Sequence, residues 1–108
     1  MWYEMRTYHC APGRLPDVLD RFANSVLALF ARHGFQPVGF WTVAIGESNN
    51  DLIYMLRWSS MADREHAWAA LGADAEWPRI RAATEANGPI VNSISSTLLK
   101  ATAFSPPV

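Results

Sequence analysis

Residues Trp2 to His9 alternate, placing Tyr3, Met5 and Thr7 on one side and Trp2, Glu4, Arg6 and Tyr8 on the other. A period of two predicts a strand with two unlike faces. Ala11-Pro12-Gly13 interrupts it, after which Leu15, Val18, Leu19, Phe22, Ala23, Val26, Leu29, Phe30 and His33 recur at spacings of three and four until Gly34. That spacing predicts one long amphipathic helix, with Pro16 tolerated in the first turn, where its missing N–H has no intrahelical partner to lose. Phe35 to Gly46 is uncharged and rich in Val, Ile, Phe and Trp; Glu47 to Asn50 is polar; Leu52 to Trp58 is apolar again. A β-hairpin follows from that order. Ser59-Ser60-Met61-Ala62-Asp63 supplies a serine cap with a carboxylate three residues on, and Ala67, Trp68 and Leu71 share the face behind it. Gly72 and Asp74 interrupt this second helix, Trp77, Ile80 and Ala83 or Thr84 resume its period, and Asn87-Gly88-Pro89 ends it, so it is expected in two pieces. Ile90 to Thr102 mixes Ile, Val, Ser, Thr and Leu in the manner of a last strand.

The order β-α-β-β-α-β is the split βαβ pattern, an α+β ferredoxin-like fold with a four-stranded antiparallel sheet and helices on one face. Such helices cover one side only. The third strand nevertheless sets Leu52, Tyr54, Leu56 and Trp58 on one face and Ile53 and Met55 on the other, interrupted only by Arg57. Each Å² of apolar surface left in water forgoes about 25 cal/mol, and large exposed apolar patches mark partners. A second copy of the same sheet is the simplest cover, so a homodimer is expected.

Composition narrows the picture. The 108 residues are half apolar, enough for one domain over residues 1–108 and too few for two cores. Nine basic against ten acidic side chains leave a net charge of −1, so no electrostatic footprint for nucleic acid exists. Cys10 is the single cysteine and the first residues hold no apolar run of the secretory kind, so a reducing, cytoplasmic setting is expected. The apolar stretch Val26 to Ala31 is far shorter than the roughly 20 residues of a membrane span, and none is expected. Five Trp, five Phe and three Tyr are many for so small an interior, since each ring buries about 150–250 Å².

Several short blocks agree in order and spacing: Tyr3-Glu4-Met5-Arg6-Thr7-Tyr8 followed by Pro12-Gly13; Gly39-Phe40-Trp41-Thr42 with Ile45-Gly46; Trp58-Ser59-Ser60-Met61-Ala62-Asp63-Arg64; Asp74-Ala75-Glu76-Trp77; and Phe104-Ser105-Pro106. With them the chain resembles a single-domain, bacterial-type member of the NIPSNAP family. The resemblance implies a dimeric α+β barrel, two ferredoxin-like subunits with facing sheets. It implies no reaction, because fold alone does not carry function. Other proteins of that barrel fold include cofactor-independent monooxygenases and isomerases.

The chain contains no G-x-S-x-G elbow, dinucleotide loop or P-loop. His9-Cys10, His33 and His66 lack metal-ligand spacing, so neither a metal nor another cofactor is expected. His33, at the end of the first helix's apolar stripe, suits a dipole-stabilised cap or an acid–base role at a pocket mouth. Tyr54 is the second acid–base candidate. Arg6 could pair with Glu4, and Glu4 with Arg57; either guanidinium could instead grip a carboxylate or enolate. Trp41, Trp58, Trp68 and Trp77 are candidate walls, with Tyr54, for a flat apolar ligand between sheet and helices. The leading expectation is a dimer that binds a small hydrophobic or aromatic metabolite, with cofactor-free monooxygenase or isomerase chemistry. The alternative is a non-enzymatic interaction module.

Overall fold

The computed structural model describes residues 1–108. Strand β1 (Trp2–Cys10) is followed by α1 (Leu15–Arg21), a π-helical turn (Phe22–Val26) and α2 (Leu27–Arg32), which run on as one rod. The hairpin is β2 (Gln36–Thr42) and β3 (Asp51–Trp58); then come α3 (Met61–Ala73), α4 (Glu76–Thr84) and β4 (Val91–Lys100). The sheet is antiparallel in the order β2-β3-β1-β4, so β1 and β3 are central. This is the ferredoxin-like α+β fold.

Local chemistry explains the boundaries. The rod ends where Gly34 takes a φ of 76°, a left-handed conformation that glycine adopts without cost. There the Phe35 N–H donates to the Phe30 carbonyl at 2.9 Å, and the two rings stack at 4.5 Å, closing the helix end with an apolar clasp. At the start of α3, the Ser60 hydroxyl accepts from the Asp63 N–H at 3.0 Å. Between α3 and α4, Asp74 accepts the Glu76 N–H at 2.9 Å, which starts a new helix instead of continuing the old one.

Alternation along β3 is complete: Leu52, Tyr54, Leu56 and Trp58 are buried, while Asp51, Ile53, Met55 and Arg57 between them are half-buried. The buried set meets Val18, Phe22, Val26, Leu29 and Phe30 from the rod, with Ala67 and Leu71 from α3. Two sequence expectations need correction. Strand β2 stops at Thr42 rather than running to Gly46, because its partner β3 begins at Asp51, and Ile45 is left in solvent. Leu19 and Ala23, assigned to the apolar stripe, are exposed. The π turn widens the helix by one residue, its Leu27 N–H reaching back five residues to the Phe22 carbonyl, and it keeps Phe22 and Val26 over the sheet.

Candidate functional site

At the centre of the helix-facing side of the sheet lies a carboxylate with no solvent exposure. Glu4 accepts from the indole N–H of Trp58 and of Trp68, each at 3.0 Å, and from the Ser96 hydroxyl at 2.9 Å. Arg64 grips it with two bonds, both at 3.0 Å. Burial by itself would push the Glu4 carboxyl up; the bonds from Arg64, Trp68, Ser96 and Trp58 outweigh it and hold it at about 2. Arg6, on the same strand face, stands 3.7 Å from Glu4 and donates through Nε to the Tyr54 hydroxyl at 2.8 Å. The Tyr54 hydroxyl in turn lies 3.4 Å from that of Tyr8. Arg6 also lies over the Trp68 ring, 4.4 Å from its centroid.

Beside this network, between sheet and helices, is a cavity of about 270 Å³. Phe22 and Val26 of the π turn, Leu29 and Phe30 of α2, and Trp68 of α3 supply its apolar wall. Its polar groups are Arg6, Tyr8 and Arg21. π-Helical turns are uncommon, and where they occur they often shape a site. Arg21 is 6% exposed, stands over the Trp77 ring at 5.3 Å and donates through Nη1 to the Thr84 hydroxyl at 3.2 Å. Its Nε has no hydrogen-bond partner. Burial pushes this guanidinium down from its ordinary value, with Glu85 opposing.

Of the residues singled out from the sequence, Arg6, Trp68 and Trp77 line this cavity. Trp58 and Tyr54 do not: Tyr54 is in the core at 0% exposure, and Trp58, at 3%, borders a separate hollow of about 220 Å³ with His33 and Arg57. Burial, then Tyr8, drive the Tyr54 phenol far above its ordinary range against the pull of Arg6, so it is a neutral donor rather than a base. Trp41 is on the opposite sheet face, opposite Ile53 and with its ring over Gly39; its neighbour Phe40 is the residue that meets Tyr54. Arg57 is on that same far face, opposite Tyr3, and donates to the Val108 carbonyl at 2.6 Å, so it cannot pair with Glu4.

His33 is outside the cavity. Its Nε2 is 2.7 Å from Asp74, which also receives Arg32 at 2.8 Å, tying the end of α2 to the joint between α3 and α4. The Glu76 N–H first, then His33 and Arg32, hold the Asp74 carboxyl at about 2. Sequence reasoning missed Arg64, Ser96, Tyr8 and Arg21. For Arg21 a signal existed: it falls three residues after Val18 and directly before Phe22, a charge at the edge of an apolar stripe. For Ser96, a small polar residue in a strand of many, none did.

No helix is long and apolar enough to cross a membrane. Among solved structures, a NIPSNAP family protein of unknown function from Agrobacterium tumefaciens matches with a TM-score of 0.85 at 26% identity, over 98% of this chain and 92% of that one. A monooxygenase of Streptomyces coelicolor, solved with the ligand Nanaomycin D, matches with a TM-score of 0.66 at 12% identity, over 99% and 92%, a likeness of fold alone. Protein NipSnap homolog 3A of Homo sapiens is 29% identical over 77 residues, 71% of this chain. Those residues are 30% of that protein, so this chain spans well under half the length of its curated relative. The NIPSNAP family model matches residues 3–106, the same span over which the short sequence blocks, the sheet order and the helix placement agree, and the chain belongs to the NIPSNAP family.

Proposed function

We propose that this protein binds a small, flat, largely apolar molecule in the cavity between the π turn, α3 and the sheet. The observation that carries the reading is the lining: nine of twelve residues are hydrophobic, Tyr8 with its hydroxyl among them, and Arg6 and Arg21 add two guanidiniums, so a few donors face one guest. Ligand sites are built this way, apolar walls with a few convergent polar groups. The volume suits a molecule of one or two rings. Isomerisation of such a guest, or its oxygenation by dioxygen with the guest itself supplying the electrons, is the reaction class this reading admits, with Arg6 and Tyr8 stabilising charge on its oxygen. The likeness to the Streptomyces monooxygenase is one of fold, consistent with that class without selecting it or a substrate.

Titration with a panel of phenols, quinones and short fatty compounds, followed by Trp fluorescence and melting temperature, is expected to reveal a ligand. At a concentration a hundred times Kd, binding to the folded state alone adds about 2.7 kcal/mol. Gly72 lines the cavity, and a Cβ added there meets nothing within 4 Å. Gly72→Leu, a larger side chain at the exposed edge of the cavity, is therefore expected to weaken the response while leaving stability equal or raised by about 0.5–1 kcal/mol, the usual gain on removing a helical glycine. If no compound moves either signal, the cavity reading fails and the interaction module replaces it.

The far sheet face supports the second part of the reading, a homodimer. Tyr3, Met5, Ile53 and Met55 lie on it half-buried, with Trp41 at 50% and Leu99 at 41% exposure, and no helix covers it. A matching face on a second copy would remove these side chains from water. Size exclusion with light scattering at micromolar concentration is expected to give twice the 12.1 kDa chain mass. Met55→Glu, which puts a charge opposite Met5 in the centre of that face, should weaken the dimer by about 100-fold or more. A wild-type mass of one chain would overturn this part.

A further inference from the structure

The charges around the cavity do not balance. On one side Arg6 and Arg64 share Glu4, at 3.7 and 3.0 Å. On the other, Arg21 and Arg81 share Glu85, also at 3.7 and 3.0 Å. Four guanidiniums thus meet two carboxylates. In both clusters the arginine that lines the cavity is the more distant one, beyond hydrogen-bond reach, while the carboxylate is held by an arginine outside the lining.

The orientation of Arg21 adds a direction to this surplus. Thr84 and Glu85 both engage Nη1. That leaves without a hydrogen-bond partner the Nε side, the edge with which a guanidinium holds a carboxylate through two parallel bonds. Nε is buried and unpartnered, in a side chain more than nine-tenths buried. A buried donor left unsatisfied destabilises the fold, a cost a guest oxygen would remove. Tyr8, whose ring lies 5.7 Å from Arg6, lines the cavity together with a second hollow of about 340 Å³ that shares Arg21, Trp77 and Ile94 and borders Arg81 and Glu85 of the second cluster.

We propose that the cavity selects an organic monoanion, an aromatic acid whose carboxylate is received by the Nε edge of Arg21 and whose ring lies against Phe22, Phe30 and Trp68. This rests on the reading of the cavity as a ligand site and names the chemical class of the guest. Arg6, held by Tyr54 and stacked on Trp68, supplies positive potential to the same space without a carboxylate of its own in hydrogen-bond contact.

The test compares isosteres that differ in charge: indole-3-acetate against indole-3-acetamide, and 2-naphthoate against 2-naphthamide, by calorimetry on the full chain at pH 7.5. The acids are expected to bind about 10- to 100-fold more tightly than the amides, the range of a charge-assisted hydrogen bond over a neutral one. Arg21→Gln should remove that preference by weakening the acids to the level of the amides, while Arg21→Lys, keeping charge but losing the fork, should fall between. Glu85 remains paired with Arg81 in these variants, and circular dichroism and melting temperature confirm the fold. Equal affinity for acid and amide would overturn the anion inference and leave the cavity reading standing. An acid preference that survives Arg21→Gln would overturn the role of Arg21. If none of the four compounds binds, the anion inference fails, and the phenol and quinone titration decides whether the cavity reading fails with it.

Discussion

Replacing Glu4 by alanine is expected to cost about 3–5 kcal/mol of folding stability, the penalty for breaking a buried, hydrogen-bonded ion pair by removing one partner. The side chain receives five hydrogen bonds from four residues, and these donors lie on β3, α3 and β4. Arg64 is 24% exposed and can turn toward water, but the Trp58 indole, on a residue 3% exposed, cannot. Arg6 would lose its only carboxylate. Domains of this size have about 5–15 kcal/mol in total, and each kcal/mol is worth roughly 4–8 °C, so the melting temperature should fall by roughly 15 °C or more. Glu4→Gln keeps one acceptor but turns an amide N–H₂ toward donors, and should also destabilise.

The same residue sets an acid limit. Its folded-state value of about 2 lies below the ordinary 4.5, so the unfolded chain binds this proton first as pH falls. The stability it contributes is fully present above about pH 4.5 and is lost as pH falls toward 2, in total about 3 kcal/mol. Denaturant titrations of wild type and Glu4→Gln at pH 7 and pH 3 should therefore converge at the lower pH. A loss under about 1 kcal/mol for Glu4→Ala, or parallel pH profiles for wild type and Glu4→Gln, would show that the network is not the structural centre described above.

Phe22→Ala is expected to have a comparable effect, about 3–5 kcal/mol, by a different route. The ring is 5% exposed and meets four others, with centroids 5.3 Å away at Tyr54, 5.5 Å at Tyr8, 5.8 Å at Phe40 and 6.1 Å at Phe30. It also forms part of the cavity wall. The space it vacates opens into that cavity and cannot be filled by a short relaxation of the core, and each Å³ left empty costs about 24 cal/mol. Two readouts distinguish this from general damage. Leu19→Ala on the exposed side of the same rod should cost less than about 1 kcal/mol. A three-ring compound such as anthracene-2-carboxylate should raise the melting temperature of Phe22→Ala more than that of wild type. Equal destabilisation by the two substitutions would contradict the placement of the core.

The alternation of β1 and β3 was legible because a half-buried strand imposes a period of two on its own residues, and the serine cap at Ser60 because capping is settled within four residues. Trp41 and Tyr54 could not be sorted in that way. Strand β2 has a register irregularity between Pro37 and Gly39, and only the observed pairing, Phe40 with Tyr54 and Trp41 with Ile53, decides which ring faces the helices. Arg57 was separable in principle, being an odd number of residues from Tyr54 along one strand. Likewise, the apolar stripe of the first helix identified Phe22 and Val26 as core residues without disclosing the π turn that aims them, since helical periodicity is insensitive to one extra residue.

The sequence by itself determined the order of elements, the two faces of β1 and β3 and the family, because these depend on neighbours within a few positions or on short blocks in order. The tertiary structure alone decided what Glu4 and Arg21 meet. Glu4 is satisfied by Arg64 and Ser96, which lie 60 and 92 residues away, and Arg21 keeps a buried Nε without a partner while Thr84 and Glu85 take its other end. Whether a buried charge is satisfied or keeps an unpartnered donor depends on which side chains converge on it in space, and local periodicity carries no information about that convergence.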